Sequence, residues 1–217
     1  VAWTGQPIRI EIEHPAPASE GLKYFKLDSG LPTILILGGS QGAELINNTV
    51  IDALPNLVQN YQVIHQTGVR NFKMVSGQAE VVLTGNQNKL RYLPVAFLNS
   101  PALKMAAGLA SIIVSRAGST LFEIASWGVP SILVPFSKSN ADHAKKNAFS
   151  YAHAGGCIVI EEVNMTANIL SSEIQRMIED KVAWGKMARD AKAFTTPDAA
   201  MKIARELVDI ALSHEKK

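Results

Sequence analysis

At roughly 150 residues per domain, 217 residues make one large domain or two small ones. With 47% hydrophobic and 18% charged residues, the chain has the apolar surface that a disordered segment lacks. A net charge of +2 excludes a strongly basic nucleic-acid binder, and one cysteine, Cys157, excludes an internal disulfide framework.

The start, Val1-Ala2-Trp3-Thr4-Gly5, has neither the basic nor the apolar region of a signal peptide. It also lacks a Met, which points to a piece excised from something longer. The stretch Glu13 to Gly30, with Pro15 and Pro17, reads as an entry loop or linker. Thr33-Ile34-Leu35-Ile36-Leu37 is short, apolar and closed by Gly38-Gly39, as a strand buried on both faces would be. A helix follows from Ala43 to Leu54, ending before Pro55. Gln62 to His65 and Arg91 to Leu93 read as the second and third strands. The most apolar window, Met105 to Val114, is interrupted by Gly108 and Ser111. It falls short of the ~18 residues that a membrane span needs. Within it begins the fourth strand, Ser111 to Ser115, followed by Gly118 and a short helix to Trp127. Ser131 to Val134 is a fifth strand, and a helix from Asp142 to His153 stops at Gly155-Gly156. Cys157 to Ile160 is a sixth strand. The last helix begins at Thr196-Pro197-Asp198 and carries an apolar stripe of Ile203, Leu207, Ile210 and Ala211. That stripe reads as a cap on the domain core, or as a docking face for another domain.

Strands alternating with helices predict an α/β, doubly wound parallel sheet of Rossmann-like type. The boundaries follow: 1–32 entry segment and interdomain linker, 33–195 ligand-binding domain, 196–217 carboxyl-terminal helix. Such sheets bind ligands beyond the carboxyl ends of their strands.

Three loops there could carry chemistry. After the first strand, Gly38-Gly39-Ser40-Gln41-Gly42 leads into a helix, so backbone amides and the helix start could cradle a phosphate. A tight turn without a ligand fits the same residues. The dinucleotide fingerprint fails, because Leu37 stands where its first glycine belongs, and no Gly-Lys-Ser/Thr occurs. After the fourth strand, Thr120-x-x-Glu123 matches a capping box, while Glu123 could equally accept two hydrogen bonds from a ribose diol. Arg116 could pair with a phosphate or act as a tether. After the fifth strand, Asp142 suits a helix cap and His143 could meet a sugar hydroxyl. His65 reads as structural. No metal-ligand cluster, Asp-x-Asp or nucleophile elbow is visible, and neither is a catalytic dyad.

Together these loops resemble the MurG-type, family 28 glycosyltransferases. The likeness rests on Thr4-Gly5-Gln6-Pro7-Ile8-Arg9, Gly38 to Ala43, His65-Gln66-Thr67-Gly68, Ser115-Arg116-Ala117-Gly118, Glu123 with Gly128-Val129-Pro130, and Val134-Pro135-Phe136 through Asn147-Ala148. The resemblance implies one half of a two-domain GT-B enzyme, the carboxyl-terminal, donor-binding half. That family transfers N-acetylglucosamine from UDP-GlcNAc to an undecaprenyl-linked muramyl-pentapeptide in peptidoglycan synthesis, by a metal-independent, inverting reaction with no cofactor. By resemblance, Arg9 and the Leu98 backbone lie near the uracil. Gly39, Ser40, Gln41 and Gly42 hold the diphosphate, and Gly118, Ser119, Thr120 and Leu121 line the nucleotide. Glu123 binds the ribose and His143 faces the GlcNAc hydroxyls. The general base, the lipid-linked acceptor site and the peripheral contact with the cytoplasmic face of the bacterial inner membrane belong to the amino-terminal domain. No nucleic-acid partner is expected, and the chain alone is expected to turn nothing over. Ala144 departs from the family, which usually has a glutamine there. The rivals are the donor subunit of a split N-acetylglucosaminyl-lipid transferase, a non-catalytic nucleotide-binding module and a UDP-sugar epimerase.

Overall fold

The computed structural model describes residues 4–39, 43–136, 143–196 and 198–215. Thr33–Leu37 (β1) is buried at every position, as a strand covered on both faces must be. On one side it pairs with Gln62–Gln66 (β2), which pairs with Tyr92–Val95 (β3). On the other side stand Ala110–Arg116 (β4), Ser131–Val134 (β5) and Cys157–Val159 (β6). All pairings are parallel, in the order β3-β2-β1-β4-β5-β6. The winding therefore runs outward from β1 to β3, returns to the centre and runs outward again to β6.

The six expected strands are all present with small shifts at their ends. The third starts one residue later than Arg91, which lies in a 3-10 turn. Its guanidinium is spent on the Val58 and Gln59 carbonyls, at 2.9 and 2.7 Å.

Alternate residues of β1 enter two separate cores. Ile34 and Ile36 pack with Glu44–Asn60 (α2), Phe72–Val82 (α3) and Ala167–Glu179 (α7). Leu35 and Leu37 pack with Ser100–Leu109 (α4), Thr120–Trp127 (α5), His143–His153 (α6) and Ala191 of Lys181–Ala193 (α8). The start of α4 is secured by Asn99, whose Oδ1 accepts the Ala102 N–H at 3.0 Å. Asn99→Ala removes that cap and should cost about 1 kcal/mol, lowering the melting temperature by about 3 °C. A calorimetric melt checks it.

Three helical expectations need correction. The stretch read as an entry loop contains a helix, Ala18–Phe25 (α1), with Pro17 at its N-cap. Proline suits a helix start, because its missing N–H would have no intrahelical partner there. Gly21 of α1 lies so close to α4 that a Cβ would stand 2.6 Å from the Met105 carbonyl oxygen. Ile12 is fully buried, and its carbonyl accepts the Trp127 indole N–H at 2.6 Å, so this part of the segment packs on the domain.

Second, α2 does not end before Pro55 but continues to Asn60 with the proline inside it. An interior proline costs about 3 kcal/mol. Beyond it, Leu57 and Val58 are both buried, and two such side chains contribute a comparable amount.

Third, the last helix, Ala199–Glu215 (α9), does not cap the core. Of its predicted stripe, Leu207 is 62% exposed and Ile210 53%, and Ile203 is only half-buried. Met201, Val208 and Leu212 add to the uncovered apolar surface. Among the described residues no helix is long and apolar enough to cross a membrane.

Candidate functional site

The winding reverses between β1 and β4, where the chain leaves adjacent strands in opposite directions and opens a crevice. Leu37 and Ser115 are in register at the two strand ends, and the Ser115 hydroxyl donates to the Leu37 carbonyl at 3.3 Å. Above this floor lies a crevice of about 500 Å³. Leu37, Gly38 and Gly39 line it from β1, and Ser115, Arg116 and Gly118 from β4. Gln66 and Leu98 close it toward β2, and Phe136 toward β5.

Three glycines, Gly38, Gly39 and Gly118, are among the residues that line this crevice. Gly39 has φ +77°, a left-handed conformation that favours glycine. Among the described residues, a Cβ built on Gly39 or Gly118 would meet nothing within 4 Å. Among the described residues, the helices that follow these turns start without a side-chain cap: Ala43 precedes α2 and Ser119 precedes α5. First-turn amides without caps carry partial positive charge and suit an anion.

One wall carries the only close ion pair that spans the entry segment and a helix among the described residues. Arg9 Nε and Nη2 donate to the two Glu123 oxygens at 2.8 and 3.1 Å. The bonds to Glu123 hold the Arg9 pKa above its ordinary value. The capping box anticipated at Thr120 does not form. Ser119, not Thr120, is the N-cap, so Glu123 stands one position too far along. A charge-assisted fork from Arg9 takes the carboxylate instead. Each oxygen still has a second lone pair, which leaves room for two hydroxyl donors.

At the β2 end, the Leu98 N–H donates to Gln66 Oε1 at 2.9 Å. Gln66 thereby fixes the loop after β3 against the crevice. Phe97 and Phe136, each about half-exposed, line opposite ends.

Of the residues expected in the site, Arg9, Gly39, Leu98, Gly118, Ser119, Thr120 and Glu123 all line this crevice. Leu121 does not: its side chain is fully buried in the core, and its N–H bonds the Gly118 carbonyl at 3.2 Å. His143 is exposed at the start of α6 and does not border the crevice. Ser40, Gln41, Gly42 and Asp142 lie outside the described residues. Gln66, Phe97 and Phe136 were not anticipated. Gln66 and Phe136 stand in motifs that carry the resemblance, and all three lie at or just past the carboxyl end of a strand, on the ligand side of the sheet.

Two reactive residue types stand apart. His65 is fully buried between Tyr92 and Asn47. Cys157 is buried, and desolvation pushes its thiol up to about 12, so it remains protonated.

Residues 33–203 match the model of the glycosyltransferase family 28 C-terminal domain. The UDP-N-acetylglucosamine–N-acetylmuramyl-(pentapeptide) pyrophosphoryl-undecaprenol N-acetylglucosamine transferase of Pediococcus pentosaceus is 37% identical over 202 residues. That alignment covers 92% of this chain and 54% of the relative. The protein of the same name from Limosilactobacillus fermentum is 31% identical over 218 residues, covering 100% of this chain and 58% of the relative. The chain thus spans about half the length of the curated relatives it matches. Among solved structures, Acinetobacter baumannii MurG superposes with a TM-score of 0.69 at 23% identity, over 92% of this chain and 54% of that one. Sucrose-phosphate synthase from Thermosynechococcus elongatus gives 0.66 at 14%, over 96% of this chain and 52% of that one. At those identities the superpositions speak to the fold, which is the C-terminal half of a GT-B glycosyltransferase. Sequence matches over most of its length, on a sheet wound the same way, establish that the chain belongs to glycosyltransferase family 28 as its C-terminal domain.

Proposed function

We propose that this chain is the donor-binding half of an N-acetylglucosaminyltransferase that acts on a lipid-linked muramyl-pentapeptide, as the names of its relatives describe. The observation that carries the reading is the crevice at the winding reversal. It has two glycine turns in its lining, a carboxylate on one wall and a pinned loop at one end. A UDP-sugar matches these features in order. The uracil lies toward Leu98, whose N–H is already spent on Gln66, so the Leu98 carbonyl meets the N3–H of the base. The ribose diol donates to Glu123, beside Arg9. The diphosphate lies between Gly39 and Gly118, with Ser119 and Thr120 along its side; Ser40, Gln41 and Gly42 are proposed as further contacts from the sequence. The sugar points toward His143, and the amide that the family usually offers at position 144 is missing.

Transfer is inverting and needs no metal. The acceptor hydroxyl attacks the anomeric carbon while UDP departs, its charge taken up by amide groups fixed in advance. The base that accepts the hydroxyl proton stands on another part of the protein. So do the contacts with the lipid-linked acceptor and with the cytoplasmic membrane face. The uncovered apolar stripe of α9 packs against that other part. Glycosyl transfer is consequently absent from the 217 residues alone.

Calorimetric titration of the chain with UDP-GlcNAc, UDP-glucose, UDP and ADP tests the reading. Binding of the three uridine ligands and at least tenfold weaker binding of ADP is expected, because only uracil satisfies the Leu98 loop. Equal binding of ADP and UDP would overturn it.

A further inference from the structure

We infer that Glu162 is a positioning residue: it clamps Arg116 so that the guanidinium serves the outer phosphate of a bound nucleoside diphosphate. The inference rests on the nucleotide reading above. Arg116 ends β4 and lines the crevice beside Gly118. Its side chain is only 12% exposed, yet it carries a full positive charge. Nη1 donates to Glu162 Oε1 at 2.5 Å and reaches the Val134 carbonyl at 3.4 Å. The guanidinium lies over the Phe136 ring, 4.2 Å from its centroid. Three groups from three segments therefore restrain one side chain: the end of β5, the loop after it and the turn Glu162–Asn164 after β6.

The restraint leaves one donor idle. Arg116 Nε is buried and has no hydrogen-bond partner among the described residues. A donor that water cannot reach is closed to a ligand oxygen as well, so the part of the guanidinium that meets a ligand is the part bordering the crevice. The position of the group says which acceptor. Gln66 and Leu98 stand at the β2 end, the glycine turns at β1 and β4, and Arg116 extends from β4 across the end of β5 toward β6. A ligand with its base at Leu98 and its first phosphate over the glycines brings its second phosphate to Arg116. The carboxylate of Glu162 neutralises the guanidinium, so long-range attraction is not its contribution. Its contribution is a fixed direction, since an arginine bonded along one edge presents the other without further loss of rotamer freedom.

Titration of the chain with uridine, UMP and UDP separates these roles. For Arg116→Gln, UDP affinity should fall about tenfold, the worth of one charge-assisted bond, with uridine and UMP changed less than about twofold. Glu162→Ala should weaken UDP in the same direction by about fivefold or more, again sparing UMP. Glu162→Gln keeps an oxygen that can accept from Nη1 and should restore UDP binding to within about twofold of the parent chain. Melting curves accompany each variant, and the near-isosteric glutamine carries the test if the alanine variant is unstable. Charge alone predicts the opposite sign, because removing a carboxylate near a phosphate favours binding. Tighter UDP binding by Glu162→Ala, equal losses for UMP and UDP, or a glutamine variant as weak as alanine would each overturn the inference. Failure of the parent chain to bind any of the three ligands would instead remove the nucleotide reading beneath it.

Discussion

Acidification from about pH 7.5 to about pH 5 should cost the fold about 2 kcal/mol through His65 alone. The ring is fully buried, with Nδ1 2.9 Å from the Tyr92 hydroxyl and Nε2 3.0 Å from Asn47 Oδ1. Asn47 Nδ2 already donates to the Thr67 carbonyl at 3.0 Å, which makes Asn47 Oδ1 an acceptor. Nε2 therefore carries the hydrogen, and Nδ1 accepts from Tyr92. Every polar atom of this chain of contacts is satisfied while the ring is neutral. A second proton would place a charge in the core, away from water, and remove the acceptor to which Tyr92 donates. Burial accordingly holds the His65 pKa down to about 3, against about 6.5 in an unfolded chain.

Between those two values the unfolded chain binds a proton that the folded one refuses. Stability is intact above pH 6.5 and falls by about 1.4 kcal/mol per pH unit below it, until the folded ring itself titrates near pH 3. Urea unfolding at both pH values, with the parent chain and with His65→Gln, isolates the contribution from that of the carboxylates. The difference between the two pH values should be about 2 kcal/mol smaller in the variant. A variant that loses as much as the parent would show that another group carries the acid sensitivity.

The sheet was legible because its strands are short apolar runs closed by turn residues, and a strand covered on both faces has no other reading. The winding order followed, and with it the location of the crevice, since both glycine turns stand at ends of adjacent central strands. What the sequence could not show were contacts between distant segments. Arg9 and Glu123 are 114 positions apart, and nothing local distinguishes a carboxylate held by an arginine from one that caps its own helix. Helical period, by contrast, separates the residues of α5 into two faces. In α5, Leu121, Ile124 and Ala125 share the buried face, whereas Thr120 and Glu123 share the crevice face, which puts the Leu121 side chain in the core. The stripe of α9 shows the complementary limit: amphipathicity announces that a partner exists and says nothing of where it is. Pro55 misled because its local cost is certain, while the burial of Leu57 and Val58 that offsets it is tertiary.

Gly118→Val should weaken nucleoside diphosphate binding about a hundredfold while leaving the fold in place. The position sits between Arg116 and the start of α5, with backbone outside the left-handed region. No atom of the described residues lies within 4 Å of where its Cβ would be, so the substitution meets neither strain nor collision with them. Its stability should change by less than about 1 kcal/mol, as at an ordinary surface site. Gly39 is a poorer choice for the experiment: at φ +77° any side chain is strained, and a loss of binding there would confuse folding with occupancy. Gly118 lines the crevice, so the valine methyls take up space where the proposed phosphates meet the first-turn amides of α5. Loss of two such bonds, at about 1.5 kcal/mol each, is roughly a hundredfold in affinity. Uridine, which has no phosphate, should bind the valine chain within about threefold of the parent, because Leu98, Gln66 and Glu123 lie on other walls of the crevice. A valine chain that bound UDP as tightly as the parent would place the diphosphate away from both turns, and the helix starts would then have no part in holding the donor.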